Sequence, residues 1–282
     1  MAERTDLVGV VTQPDRPAGR GHKLTPTPVK AAALALGLSV YEPQRLRPFI
    51  EDIRDERFDL FALASYGKIL PQALLDLPRL GALNVHPSLL PKYRGATPIQ
   101  TAIANGDTET GVSIMLMDAG MDTGDLVLQE RVGIEPDETY GELHARLAFY
   151  GGELLGRALD LASAGPLRRM PQQGEPSVTK PIRKEDLRID WSWPAARIVD
   201  RVRSLAPQPG ARASLFAFDS LKLLKARVYQ GDAAGEVGRG TLIGKDFVVR
   251  AGDGAVVVDE LIAPNHGRET GLQFAVRAAV QR

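Results

Sequence analysis

The run FDLFALASYG, residues 58–67, is the feature that most narrows the choice of fold. It is apolar almost without interruption for the length of one strand. A strand with one solvated face alternates apolar and polar residues. A continuous apolar run stopped by glycine therefore predicts a strand covered on both faces. Such strands belong mostly to parallel sheets, because each parallel return needs a crossover and the crossover helices lie on the sheet faces. The neighbouring sequence supplies both parts. DLVGVVT (6–12), LSVYEP (38–43), ALNV (82–85), TGVSIMLMD (110–118) and DLVLQERV (125–132) read as strands. TPVKAAALALGL (27–38), RLRPFIEDIRDERF (45–58), PQALLDL (71–77), TPIQTAIANG (97–106) and the long stretch 138–163 read as helices. The alternation predicts an α/β fold over residues 1–164, with a Rossmann-like, doubly wound and mostly parallel sheet.

The texture changes after residue 164. AGPLRRMPQQGEPSVTKPIRKED holds four prolines and two glycines and has no apolar period, so residues 165–185 read as a linker. IDWSWPAARIVDRVRSL reads as one helix, with Ser192 as its N-cap and Pro194 in its first turn. The β-rich runs ASLFAF, LKLLKARVY, TLIGKD, FVVRAGDG and AVVVDELIA follow, then the helical FAVRAAVQR. Residues 186–282 are thus expected to form a second domain, a small OB-like β-barrel.

Composition excludes several chemistries. The 282 residues include no cysteine, which removes disulfides, thiolate metal sites and a thiol nucleophile. His22, His144 and His266 show no ligand spacing with one another or with carboxylates, so no metal is expected. No apolar run approaches the ~18 residues of a membrane-spanning helix. MAERTDLVGVV lacks the layout of a signal peptide, and the expectation is a cytoplasmic, monomeric protein. Formal net charge is zero, yet residues 1–165 carry 16 Lys and Arg against 22 Asp and Glu, whereas residues 166–282 carry 19 against 13. An acidic front and a basic back point to a polyanionic partner or to ordinary solvated charge.

Ligands of open parallel sheets sit beyond the carboxyl ends of the strands. LNVHPSLLPKYRG (83–95) ends a strand on Asn84 and His86, which the two-residue period places on one side. Pro87 disfavours helical geometry at His86. Asp122, in the glycine-flanked turn of MDAGMDTGD, follows another strand and is placed to reach an imidazole. An amide, an imidazole and a carboxylate on one pocket suit acyl transfer to an amine without a covalent intermediate. G-x-S-x-G does not occur. Taken singly, His86 also fits a structural role and Asp122 a turn-forming one.

LNVHPSLLPKYRGATPIQ resembles the Asn-x-His-x-Ser-Leu-Leu-Pro signature of the folate-dependent formyltransferases, and MDTGD resembles the Asp-bearing loop of the same family. The resemblance implies a catalytic trio of Asn84, His86 and Asp122, with Ser88, Leu89, Leu90 and Pro91 against the reduced folate. It implies 10-formyltetrahydrofolate as formyl donor. TQPDRPAGRGHKLTPTPVK (12–30) resembles the loop with which the members acting on methionyl-tRNA hold the acceptor end, which implies tRNA binding by Arg16, Arg20 and Lys23, with Lys30 and His22 adding potential charge. RKEDLRIDWSWPAA resembles the start of those members' C-terminal, tRNA-binding domain. The implied acceptor is the methionine α-amino group on initiator Met-tRNA. A small-amine acceptor (a purine precursor or an amino sugar) and a non-catalytic RNA- or folate-binding relative are the alternatives. The family opens with a strand and helix bearing Gly-Thr-Pro-x-Phe-Ala roughly 20 residues before the point that matches Met1. In a doubly wound sheet that first strand is central. The expectation is therefore a natural start upstream of Met1, and two exposed strand edges without it. The resemblance also predicts a cis Leu90–Pro91 bond.

Overall fold

The computed structural model describes residues 1–18, 23–216 and 218–280. In chain order the elements begin with β1 (Val10–Val11), β2 (Arg16–Ala18), β3 (Lys23–Thr25), α1 (Pro28–Ala35), β4 (Val40–Tyr41), α2 (Leu46–Ile53), β5 (Phe61–Ala64), α3 (Gln72–Leu75) and β6 (Ala82–His86). There follow β7 (Arg94–Gly95), α4 (Pro98–Ala104), β8 (Glu109–Leu116), β9 (Leu126–Gly133), α5 (Tyr140–Ala164) and β10 (Val178–Thr179). The last part holds a 3-10 turn (Glu185–Leu187), α6 (Ala195–Leu205), β11 (Ala211–Leu215), β12 (Phe218–Val228), β13 (Gly240–Ile243), β14 (Asp246–Arg250), β15 (Ala255–Ile262), β16 (Arg268–Thr270) and α7 (Gly271–Val280). Two compact units emerge: residues 1–86, 112–130 and 150–175, and residues 87–111, 131–149 and 176–282.

The first unit holds a sheet in the order β5-β6-β8-β9. β5 and β6 run parallel, whereas β6 and β8 run antiparallel, so the sheet is mixed rather than mostly parallel. β1 and β4 form a separate parallel pair. Among the described residues β5 therefore stands at a sheet edge, and Phe61, Ala62 and Leu63 are only half-buried. This corrects the expectation that FDLFALASYG is covered on both faces. The apolar run reports a strand, but the ladder partner on its second side decides burial. Helix α1 starts as its sequence dictates: the Thr27 hydroxyl accepts from the Lys30 amide, and proline occupies the first helical position.

The second unit is built on an antiparallel sheet in the order β11-β12-β15-β14-β13, with β16 on β15. Alternation covers both faces. Phe247 and Val249 of β14 and Val256 and Val258 of β15 face the main core with Ile198, Val202 and Leu205 of α6 and Phe274 of α7. The intervening Val248, Ala255 and Val257 join a smaller cluster with Tyr229 and Ile243. Burying each such side chain contributes about 1.5–3 kcal/mol. The barrel expectation needs correction: among the described residues β11 and β13 end the sheet without pairing to each other, so it is open. Strand count is legible in turn residues, whereas closure depends on tilt and stagger. The cap of α6 is also corrected. Ser192 donates its amide and hydroxyl to Asp190, while the amide of Ala195 donates to Oδ1 of Asp253, 2.8 Å away.

Candidate active site

Strand β6 presents Asn84 and His86 on one face because successive side chains alternate. Val85 points to the other face, where a Cβ on Gly151 of α5 would lie 2.8 Å from its Cγ1. Glycine there lets the helix close on the strand that carries the pair. His86 is 4% exposed and Asn84 is half-buried. His86 stands opposite Ser113 in the β6–β8 register. Ser113 is fully buried, and its hydroxyl accepts a 2.9 Å bond from Nε2 of Gln129.

Asp122 sits in the turn between β8 and β9 with φ at +53°, a left-handed geometry that Asp and Asn tolerate better than most residues. Asp118 shapes the turn: its Oδ1 accepts from the Gly120 amide at 3.0 Å and from the Thr123 hydroxyl at 2.7 Å. A Cβ on Gly124 would fall 1.7 Å from the Leu116 carbonyl oxygen, so the chain can return there only as glycine. Nε2 of Gln172 donates at 2.8 Å to the carbonyls of both Asp122 and Gly124. Two fixed carbonyls hold the carboxylate's backbone in place.

The result is an approach of 3.6 Å between Nδ1 of His86 and Oδ2 of Asp122. That is longer than a hydrogen bond, but a small rotation of either side chain closes it. With Nδ1 towards the carboxylate, Nε2 is the nitrogen left to meet a reacting group, and the carboxylate stabilises an imidazolium once it forms. Asn84 adds amide donors from the same strand face. The three side chains can thus stabilise an oxyanion and accept a proton, the two demands of acyl transfer to an amine. Among the described residues no three His, Asp or Glu side chains converge as a metal site.

The segment after His86 belongs to the second unit. Ser88 is fully buried and donates its hydroxyl to the Lys92 carbonyl at 2.6 Å, so this side chain holds a turn. Leu90 and Pro91 are buried, Leu89 is half-buried, and the Leu90–Pro91 bond is cis, as expected. Tyr93 (φ +61°) and Gly95 (φ +99°) turn the chain onwards, and a Cβ at Gly95 would meet the Thr179 carbonyl oxygen at 2.6 Å.

In the 12–30 loop, β2 and β3 pair antiparallel, with Arg16 opposite Thr25. Arg16 is exposed. Arg20 and His22 lie outside the described residues, as does the side chain of Lys23. Lys30 is engaged internally: Nζ lies 2.9 Å from Asp15 and 2.7 Å from Glu42. The hydrogen bonds that Nζ donates to these carboxylates, Glu42 first, raise its affinity for its proton. Its charge is matched inside the unit.

Asp118, Gln172, Ser113 and Gln129 were not singled out by the sequence. Asp118 carried a local signal, since Asp two residues before glycine is a side-chain-closed turn. Gln172 carried none, because its partners lie some 50 residues earlier in the chain.

Residues 2–159 match the family described as formyl transferase, and residues 181–278 match the formyl transferase C-terminal domain. The chain is 46% identical over 266 residues to a methionyl-tRNA formyltransferase of Myxococcus xanthus, covering 92% of this chain and 83% of that protein. In fold it is similar to a methionyl-tRNA formyltransferase from Clostridium thermocellum, with a TM-score of 0.59 at 16% identity over 80% of this chain and 96% of that one. It is also similar to HypX from Aquifex aeolicus in complex with tetrahydrofolic acid, with a TM-score of 0.67 at 16% identity over 97% of this chain. It spans about half that protein's length, 48%.

Proposed function

The chain belongs to the formyl transferase family, and from that premise we propose that it transfers the formyl group of 10-formyltetrahydrofolate to the methionine α-amino group of initiator Met-tRNA. The observation that carries the chemistry is the 3.6 Å approach of His86 to Asp122, with Asn84 on the same strand face as His86. The acceptor follows the relatives that share both domains with this chain and are named methionyl-tRNA formyltransferases.

The amine adds to the formyl carbon, and negative charge collects on the formyl oxygen. Asn84 donates hydrogen bonds to that oxygen, and His86 does so once its Nε2 carries a proton, which lowers the barrier. The His86–Asp122 pair takes the proton that the attacking amine must lose. The carbon–nitrogen bond to the folate then breaks, and the departing nitrogen leaves protonated as tetrahydrofolate. Leu89, Leu90 and Pro91, with the backbone of Ser88, form the wall against the folate. Arg16, Arg20 and Lys23 neutralise phosphates near the acceptor end. In this reading residues 1–164 carry catalysis, 165–185 link, and 186–282 hold tRNA. Among the described residues no helix is long and apolar enough to cross a membrane. We read the enzyme as a cytoplasmic monomer.

The test is transfer of labelled formyl from 10-formyltetrahydrofolate to charged initiator tRNA, beside a purine-precursor amine and an amino sugar. Label is expected on Met-tRNA. Transfer to a small amine with none to Met-tRNA would overturn the reading.

A further inference from the structure

The second unit contains a cavity of about 660 Å³ whose lining includes Arg188, Trp191, Trp193, Arg197, Arg201 and Val237. The chain has two tryptophans, and they behave differently. Trp191 is 9% exposed, packs in the main core and donates its indole N–H to the Ser214 carbonyl. Trp193 is half-buried and carries two guanidinium groups, with the Arg197 carbon 4.2 Å and the Arg201 carbon 6.0 Å from its ring centre.

Among the described residues no carboxylate stands within ion-pair distance of Arg188, Arg197 or Arg201. Glu185, Asp186 and Asp190 line the same rim; the last two hydrogen-bond elsewhere, and Asp190 also feels the charge of Arg197. Asp190 accepts from the amide and hydroxyl of Ser192, and Asp186 accepts from the Arg183 amide. Arg201 is partly withdrawn from water. Burial lowers its affinity for its proton, Asp186 raises it, and Arg197 lowers it again. A half-buried cation beside a second cation is costly unless an anion joins them.

We propose that this cavity is a nucleotide subsite for the tRNA substrate, in which Arg197 leaves the Trp193 ring for the phosphate, Arg201 pairs with the same phosphate, and the adjoining base takes the place on the indole that Arg197 vacates. The arginines select an anion, because a guanidinium fork matches phosphate oxygens and stacks on aromatic rings. The half-exposed indole selects a base, since stacking on an aromatic face accepts any base. The volume lies in the range that holds a small ligand. The stretch from residue 166 onwards, with 19 Lys and Arg against 13 Asp and Glu, attracts a polyanion. That the RNA is tRNA rests on the proposed function; the stacking and phosphate chemistry rest on the cavity.

Tryptophan fluorescence titrated with uncharged initiator tRNA tests this directly. Wild-type emission is expected to fall on binding. Trp193→Phe should lose most of that quenching yet stay close to wild-type affinity, because a phenyl ring still stacks. Trp193→Ala should bind ~10-fold more weakly. Arg197→Ala and Arg201→Ala should each reduce the slope of log affinity against log salt by ~0.9. Unchanged affinity and slope in Trp193→Ala, Arg197→Ala and Arg201→Ala, or quenching that persists in Trp193→Phe, overturns the subsite. A wild-type chain that formylates Met-tRNA but gives that result keeps the function and loses the subsite. One that shows the expected binding without formylating keeps the subsite and loses the function.

Discussion

Nδ1 of His86 and Oδ2 of Asp122 stand 3.6 Å apart, the first at the end of a strand and the second in a turn whose backbone is left-handed at the carboxylate itself. Asparagine tolerates that backbone and has the same shape, so Asp122→Asn should melt close to wild type. Asp122→Ala should be less stable by ~1 kcal/mol, because alanine pays the left-handed penalty without a side chain suited to it. Thermal melts of the two variants check this, and equal losses in both would show that the turn does not depend on residue type at 122.

The turn leans on a distant residue. Gln172 donates to the Asp122 and Gly124 carbonyls. Gln172→Ala leaves both without this donor and should cost ~1–3 kcal/mol of stability. With the carboxylate less firmly placed, kcat should fall more than the KM for Met-tRNA rises. Steady-state kinetics with tRNA as the varied substrate would show it; a pure KM effect would mean that Gln172 does not position Asp122.

The contrast between Asp122 and Gln172 shows what the sequence could carry. Asn84 and His86 were legible because a strand's period is local and puts them on one face. Asp122 was legible through its glycines. Gln172 lies in a proline-rich stretch that reads as linker, and its role exists only once the chain has folded back. The same holds for the α6 cap, where the adjacent Ser192 looked suitable but Asp253 does the work. β5 was recognised as a strand, but its burial depends on a neighbour that no local pattern encodes. In the second domain, alternation located the strands and left closure undetermined.

Two basic residues of the 12–30 loop should separate under salt. Arg16 is exposed, whereas Lys30 is held by Asp15 and Glu42. Arg16→Ala should lower the salt dependence of tRNA binding, by ~0.9 in log–log slope for one phosphate contact. Lys30→Ala should leave that slope alone, because its charge is already matched. Binding isotherms at several salt concentrations decide between them; a reduced slope in Lys30→Ala would contradict the internal pairing.

Helix α5 begins with a reciprocal cap. Glu142 accepts from the Thr139 amide at 2.9 Å and hydroxyl at 2.7 Å, and the Thr139 hydroxyl accepts from the Glu142 amide at 3.4 Å. These bonds, the hydroxyl's first, hold the Glu142 carboxyl below the usual carboxylate range. A depressed carboxylate contributes stability above its unfolded value and loses it as pH falls through the folded one. Melting temperature should therefore drop from about pH 4.3 downward, and Glu142→Gln should flatten that drop. Parallel acid and neutral melts measure it, and identical pH profiles would contradict the assignment.

The central claim is that the Asn84, His86 and Asp122 side chains perform the transfer. Its most direct test is kcat for formylation of Met-tRNA by His86→Ala and Asp122→Asn, with circular dichroism establishing that both fold. Each should fall by ~10²–10⁴. Near-normal turnover in both folded variants would contradict the account.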